Sequence, residues 1–119
     1  MQYTQNITLD MNRKCACRAI YAKRLDNSSR FLNVKVTNGN ADFQVEEDCS
    51  ASLRYLTRNM DSNETEGVIN NDGTVRVELD SEMLSDSGTY ECDISFTNGS
   101  ATLSTPTFYI IVTDCAVPN

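Results

Sequence analysis

The 119-residue chain predicts an all-β domain, a sandwich or barrel of eight or nine strands. Apolar and polar residues alternate at period two in several short runs, the mark of half-buried strands. Those runs stop or start at Asn38-Gly39, Asp72-Gly73 and Asn98-Gly99, dipeptides suited to tight turns because both central residues need positive φ. Little in the sequence would hold a helix.

Strands are expected over 3–10, 14–22, 30–37, 42–47, 52–58, 66–70, 74–80, 88–97 and 101–113. Leu32, Val34 and Val36 alternate with Phe31, Asn33 and Lys35 up to Asn38-Gly39. Residues 58–66 are polar and read as a loop. Val75, Val77 and Leu79 alternate with Arg76, Glu78 and Asp80 just after Asp72-Gly73. From Thr89 to Thr97, Tyr90, Cys92, Ile94 and Phe96 share one side. The final run is apolar from Phe108 to Val112, and Pro106 early in it suits an edge or a bulge. Residues 1–114 are expected to form one domain, with 115–119 the start of a linker to a following domain.

Composition narrows the function classes. Ten Lys and Arg against 17 Asp and Glu give a net charge of −7, which repels phosphate and argues against nucleic acid and anionic membrane as partners. No apolar run approaches the ~18 residues that span a bilayer, and no stretch reads as a signal peptide. Met1 therefore fits either a cytosolic start or the start of a trimmed secreted chain. Five cysteines and four Asn-x-Ser/Thr triplets, at Asn6, Asn27, Asn63 and Asn98, favour the secreted reading, with a glycoprotein as the product. The chain contains no His, so Ser-His and Cys-His nucleophiles are excluded from it acting alone. Glu46, Glu47 and Asp48 read as solvated surface, and Asp61, Glu64 and Glu66 lack the pattern of a Ca²⁺ loop. Cys15-Ala16-Cys17 is too close a pair for a structural zinc site and lacks further ligands. No enzyme activity, metal or cofactor is expected.

The stretch LSDSGTYECDIS, residues 84–95, carries Asp86, Gly88, Tyr90 and Cys92 at alternate positions. A Tyr two residues before a buried Cys makes a tyrosine corner, its hydroxyl bonding to backbone a few residues upstream across a turn that Gly88 permits. The pattern Asp-x-Gly-x-Tyr-x-Cys resembles strand F of immunoglobulin-superfamily domains. Val77-x-Leu79 resembles their strand E, with Met83 in place of Glu82 as the third apolar position through a one-residue bulge. The resemblance implies an immunoglobulin-like, V-set-type two-sheet β-sandwich. It departs from the pattern in lacking the buried Trp of strand C and the Gly-x-Gly of the closing strand, which argues against an antigen receptor.

That resemblance also implies an inter-sheet disulfide from Cys92 to strand B. Cys17 and Cys15 both lie at the V-set separation, and Cys17 is preferred. Cys15–Cys115 would then be a second bridge, leaving Cys49 as the odd thiol. Surplus cysteines, acceptor asparagines and the missing Trp are similar to the allorecognition receptors of colonial hydroid cnidarians. The implied function is a cell-surface recognition or adhesion module at cell–cell contacts, an extracellular ectodomain of a membrane receptor. Its partner is a protein, with homophilic binding preferred. A heterophilic receptor, a secreted ligand and a structural spacer are the alternatives.

The contact face is expected on the sheet that would hold strands G, F and C. The last strand is apolar on both faces, so either Phe108, Ile110 and Val112 or Tyr109 and Ile111 point outward, unless the N-terminal segment covers them. Phe31, Lys35, Glu91, Asp93, Tyr109 and Ile111 are the expected binding residues, with acidic and basic strands self-complementary across a two-fold axis. A sugar on Asn98, at the tip of the F–G hairpin, would obstruct recognition tip-first.

Overall fold

The computed structural model describes residues 1–114 apart from 14, 40, 47 and 57–59, with only the backbone course for 15–18. The described residues form β1 (Tyr3–Asp10), β2 (Cys15–Lys23), β3 (Arg30–Asn38), β4 (Ala41–Asp42), β5 (Ser50–Leu56) and β6 (Ser62–Ile69). Then follow β7 (Val75–Glu78), a 3-10 turn at Met83–Ser85, β8 (Gly88–Asn98), β9 (Ala101–Ser104) and β10 (Thr107–Thr113). The protein is all-β.

Alternation decides what is inside. Leu32, Val34 and Val36 of β3, Val75 and Val77 of β7, and Tyr90, Cys92, Ile94 and Phe96 of β8 are buried. So are Phe108, Ile110 and Val112 of β10, which leaves Tyr109 and Ile111 on the outer row. With Ile7, Leu9, Ile20, Leu53 and Tyr55 these side chains make one core. Each buried side chain of this size stabilises the fold by roughly 1.5–3 kcal/mol relative to exposure.

The strands run β1-β3-β7-β6-β5-β8-β10-β2 in one rolled sheet, with β4 added to β3 and β9 to β8. Two separate sheets, as in the expected V-set sandwich, are not what the chain forms. The reason lies in β6. Its first residues, Ser62 to Gly67, pair with β5, and Val68 and Ile69 pair with β7, so one strand stitches the two halves together. At the crossing point stands Gly67, where a Cβ would meet Val75 Cγ1 at 2.9 Å and Val77 Cγ2 at 3.2 Å. Only a residue without a side chain lets β6 pass that close to β7. Among the described residues the opposite side stays open: β1 pairs only with β3 and β2 only with β10, both in parallel, so the sheet is a nearly closed barrel with a seam between them.

Several expected elements fall differently. The expected strand at 42–47 is reduced to β4, and 43–46 has no strand structure. Most of the expected loop at 58–66 is strand, because polar β6 needs only one buried side. The expected strand 101–113 is broken at Thr105-Pro106. Pro106 has no N–H for a ladder, and Thr105 closes the gap by accepting a hydrogen bond from Ile94 N at 3.0 Å and donating its own N–H to Ile94 O at 2.9 Å. Met83 is buried as an apolar successor to Leu79, but it arrives through the 3-10 turn, whose Met83 N–H is held by Asp80 Oδ1 at 2.9 Å, and not through a strand bulge.

The stretch 84–95 forms a tight corner. Tyr90 Oη donates to the Asp86 carbonyl at 3.0 Å, and its ring meets Tyr55 edge-on with centroids 5.9 Å apart. The Cys17–Cys92 bridge expected beside it is corrected: Cys92 is a free, buried thiol. β2, which carries Cys17, is not an opposing strand B. It lies in the same layer as β8, on the far side of β10. Two strand spacings of about 4.8 Å put the backbones beyond the ~7 Å that a disulfide can span. The Cys15–Cys115 pairing and the segment 115–119 lie outside the described residues. Cys49 is also a free thiol.

Candidate interaction face

The outer row of the β6-β5-β8-β10-β2 half brings charged and polar groups from three neighbouring strands together. Because Leu53, Tyr55, Cys92 and Ile94 point inward, their neighbours Ser52, Arg54, Glu91 and Asp93 must point out. Register then brings partners together: Arg54 stands opposite Asp93 on one side and Glu64 on the other. Arg54 donates Nε to Asp93 Oδ1 at 2.8 Å and Nη2 to Asp93 Oδ2 at 2.9 Å, a bidentate fork, and Nη2 also reaches Ser104 Oγ at 2.6 Å. The hydrogen bond to Asp93 holds the Arg54 guanidinium above its ordinary pKa against the opposing effect of burial, with the Asp93 and Glu64 charges adding to it. Ser52 Oγ donates to Glu64 Oε1.

Around this fork lies an open hollow of about 420 Å³, lined by Arg54, Asn63, Glu64, Glu91, Asp93 and Thr107. Its floor includes Tyr55 and Cys92. Burial pushes the Cys92 thiol up to about 12, so it stays protonated and unreactive at neutral pH. Burial likewise raises the Tyr55 phenol. Among the described residues no cluster of His, Cys, Asp and Glu has the arrangement of a metal site.

Of the six expected binding residues, the fold brings four together. Glu91 and Asp93 on β8 share the outer face with Tyr109 and Ile111 on β10, Tyr109 standing opposite Glu91. Tyr21 of β2 extends the same row beyond Ile111 and is 58% exposed. Phe31 and Lys35 are elsewhere: β3 sits between β1 and β7, in the other half of the roll. There Phe31 lies under the Arg76 guanidinium, 4.2 Å from Cζ to the ring centroid, and Lys35 pairs with Asp42 at 3.4 Å. Asp93 is held by Arg54 and is not an open contact. The Arg54–Asp93 fork was not anticipated, since only cross-strand register reveals it. The alternation that places Arg54 outward was the one available signal.

Asn6 and Asn98 are exposed and their amides are engaged, Asn6 Oδ1 with Asn33 at 3.4 Å and Asn98 Nδ2 with Glu46 at 2.8 Å. Asn27 is exposed and Asn63 half-buried on β6.

Comparison with known proteins places this geometry. A family model described as the BppU N-terminal domain, that of a phage baseplate upper protein, matches residues 3–118. Among solved structures, the N-terminal domain of phage TP901-1 ORF48 superposes with a TM-score of 0.70 at 18% identity, covering 92% of this chain and 97% of that one. No curated protein sequence matches the chain.

The family match overturns the immunoglobulin-superfamily and hydroid-receptor resemblance. With it go the adhesion and allorecognition function and the extracellular, membrane-receptor location. The triplets at Asn6, Asn27, Asn63 and Asn98 lose the secretory context that would make them glycosylation sites. The physical reason for the error is plain. Asp-x-Gly-x-Tyr-x-Cys solves a local problem, anchoring the turn before a core strand by a phenol-to-carbonyl bond, and a rolled sheet has that problem as much as a sandwich does. With residues 3–118 inside the match, the chain belongs to the family of BppU N-terminal domains, the N-terminal domains of phage baseplate upper proteins.

Proposed function

We propose that this domain is a structural part of a phage baseplate, located in the virion and working by docking against other baseplate proteins. The observation that carries the reading is the family match over residues 3–118. The surface suits the role. An outer face whose Arg54 is fixed by three hydrogen bonds to Asp93 and Ser104 meets a partner with little side-chain order left to lose. Tyr109 and Ile111 beside it offer apolar area for a contact.

Immunogold labelling of virions made from the genome that encodes the chain tests this. Antibodies against the purified domain are expected to decorate the tail tip. Label on the capsid, or none on virions whose denatured proteins still react with the antibody, would refute the baseplate assignment.

A further inference from the structure

Gln5 stands where the strand pattern calls for an apolar residue. Ile7 and Leu9 of β1 point into the core, and Gln5 continues their row. It is half-buried, and its amide has no hydrogen-bond partner among the described residues. A polar group at an inward position asks for a reason more than any exposed one does. β1 ends at Asp10 and β2 begins at Cys15, so the two strands are joined at one end, with no ladder between them among the described residues. At the other end they flank an open crevice of about 290 Å³, and Gln5 lines it. Tyr3 adds to the β1 wall, Tyr21 and Lys23 form the β2 wall, and Arg30 and Thr113 complete it.

The tyrosines are unevenly placed. Tyr55 and Tyr90 lie in the core and Tyr109 is half-buried, whereas Tyr3 and Tyr21 are 56% and 58% exposed, and both rim this crevice. Arg30 braces the wall: it stacks over Tyr3 at 5.3 Å, pairs with Asp26 at 2.6 Å and donates Nη1 to the Tyr21 carbonyl at 3.5 Å. Thr113 Oγ1 donates to the Ala22 carbonyl at 3.4 Å, which leaves its own lone pairs to accept. Lys23 is exposed with no ion pair among the described residues. An apolar ligand would strip water from Gln5, Lys23 and Thr113 and return no hydrogen bond. A multiply charged anion would meet Lys23 alone, since Asp26 neutralises Arg30, in a protein of net charge −7. A sugar ring fits both parts of the lining. Its C–H face lies on an aromatic ring, and its hydroxyls pair with an amide that both donates and accepts.

We infer that the crevice between β1 and β2 binds one sugar ring of a glycan, with Tyr21 as the stacking platform and the Gln5 amide paired to adjacent hydroxyls. Lys23 donates to a third oxygen, and Tyr3 closes the opposite wall. The crevice lies at the small end of ordinary ligand sites, which run from about 300 to 1,000 Å³. One ring therefore enters, and the rest of the glycan stays in solvent. Arg30 and Asp26 hold Tyr3 before any ligand arrives, so little side-chain order is lost on that wall when the ring binds. The inference goes beyond the baseplate reading and does not rest on it.

Backbone amide NMR shifts of the full chain, titrated with the methyl glycosides of glucose, galactose, N-acetylglucosamine and rhamnose, test the site. Methyl glycosides stand for a sugar linked in a chain. At least one is expected to give saturable shifts at Tyr3, Gln5, Tyr21 and Lys23, with a Kd on the order of 1 mM. Tyr21→Ala and Gln5→Ala are each expected to bind at least about tenfold more weakly, a loss of about 1.4 kcal/mol. Tyr21→Phe keeps the ring and is expected to bind like wild type. Tyr21 is exposed and Gln5 half-buried, and circular dichroism checks that each variant is folded. No saturable shift from any of the four glycosides, or shifts confined to another face, would overturn the site. So would Ala variants that bind like wild type, or a Tyr21→Phe protein as weak as Tyr21→Ala. Inorganic phosphate that shifts these amides where no glycoside does would show an anion site at Lys23 and overturn it too. Free sugars that bind while their methyl glycosides do not would overturn the glycan as ligand. None of these outcomes bears on the immunogold result, so the two readings fail separately.

Discussion

Replacing Gly67 by Ala tests whether β6 depends on a close crossing. The added Cβ would sit 2.9 Å from Val75 Cγ1 and 3.2 Å from Val77 Cγ2, with the Ala51 carbonyl at 3.5 Å. The first distance is well inside carbon–carbon contact, and Val75 and Val77 are fully buried, so neither can swing into solvent. Inserting a carbon into such packing costs about 1–3 kcal/mol. Opposing it, Ala loses less unfolded-state entropy than Gly, worth roughly 0.4–1 kcal/mol. The net expectation is a loss of about 1–2 kcal/mol. For a domain of this size that lowers Tm by roughly 3–8 °C. Urea titration followed by circular dichroism gives the free energy, with the slope m unchanged if only packing is affected. The double variant Gly67→Ala with Val75→Ala makes room for the new carbon and is expected to lose less than the sum of the two single losses. A Gly67→Ala protein as stable as wild type, or single losses that simply add, would refute the crossing argument.

Three further outcomes follow from the same geometry. Because burial lifts the Cys92 thiol from an ordinary 9.0 to about 12, the folded state holds a proton there that the unfolded state releases. Its contribution is intact below pH 9 and falls away between pH 9 and 12, by up to about 1.4 kcal/mol per pH unit. Stability curves measured across that range should steepen downward in wild type and less so in Cys92→Ala compared with its own neutral-pH value. Tyr90→Phe removes the bond to the Asp86 carbonyl and is expected to cost about 0.5–1.5 kcal/mol by denaturant titration, with the fold unchanged by circular dichroism. Arg54→Ala breaks a fork whose arginine is 41% exposed, so its cost is expected to stay near 1 kcal/mol and to shrink in high salt.

The parts of the fold that rest on one strand at a time were legible in the sequence. Burial of Val75 and Val77, of Tyr90, Cys92, Ile94 and Phe96, and the places of the turns at Asp72-Gly73 and Asn98-Gly99 all follow from residues within a few positions of each other, although in both turns the glycine takes positive φ and the residue before it does not. What rests on two strands was not. The first residues of β6, SNETE, read as a loop because their inward positions are filled by Asn63 and Thr65, and their strand character comes from pairing with β5. The choice between sandwich and rolled sheet hangs on that one strand. The same limit governs the contact face. Glu91, Asp93, Tyr109 and Ile111 lie on adjacent strands, whereas Phe31 and Lys35 were grouped with them only by analogy with a different strand order.

Cysteine shows how the wrong context compounds. Five cysteines suggested an oxidising compartment, which in turn suggested a bridge at Cys92. In the fold Cys92 stands opposite Phe108 on one side and Tyr55 on the other, and it fills its place in the core as a small apolar residue. Such a residue needs no partner. Seen this way, Tyr90 and Cys92 have separate local tasks: one anchors the turn before β8, the other fits the space between Tyr55 and Phe108. Neither task requires a disulfide, so their spacing reports the corner and the strand, while membership of a family must come from the chain as a whole.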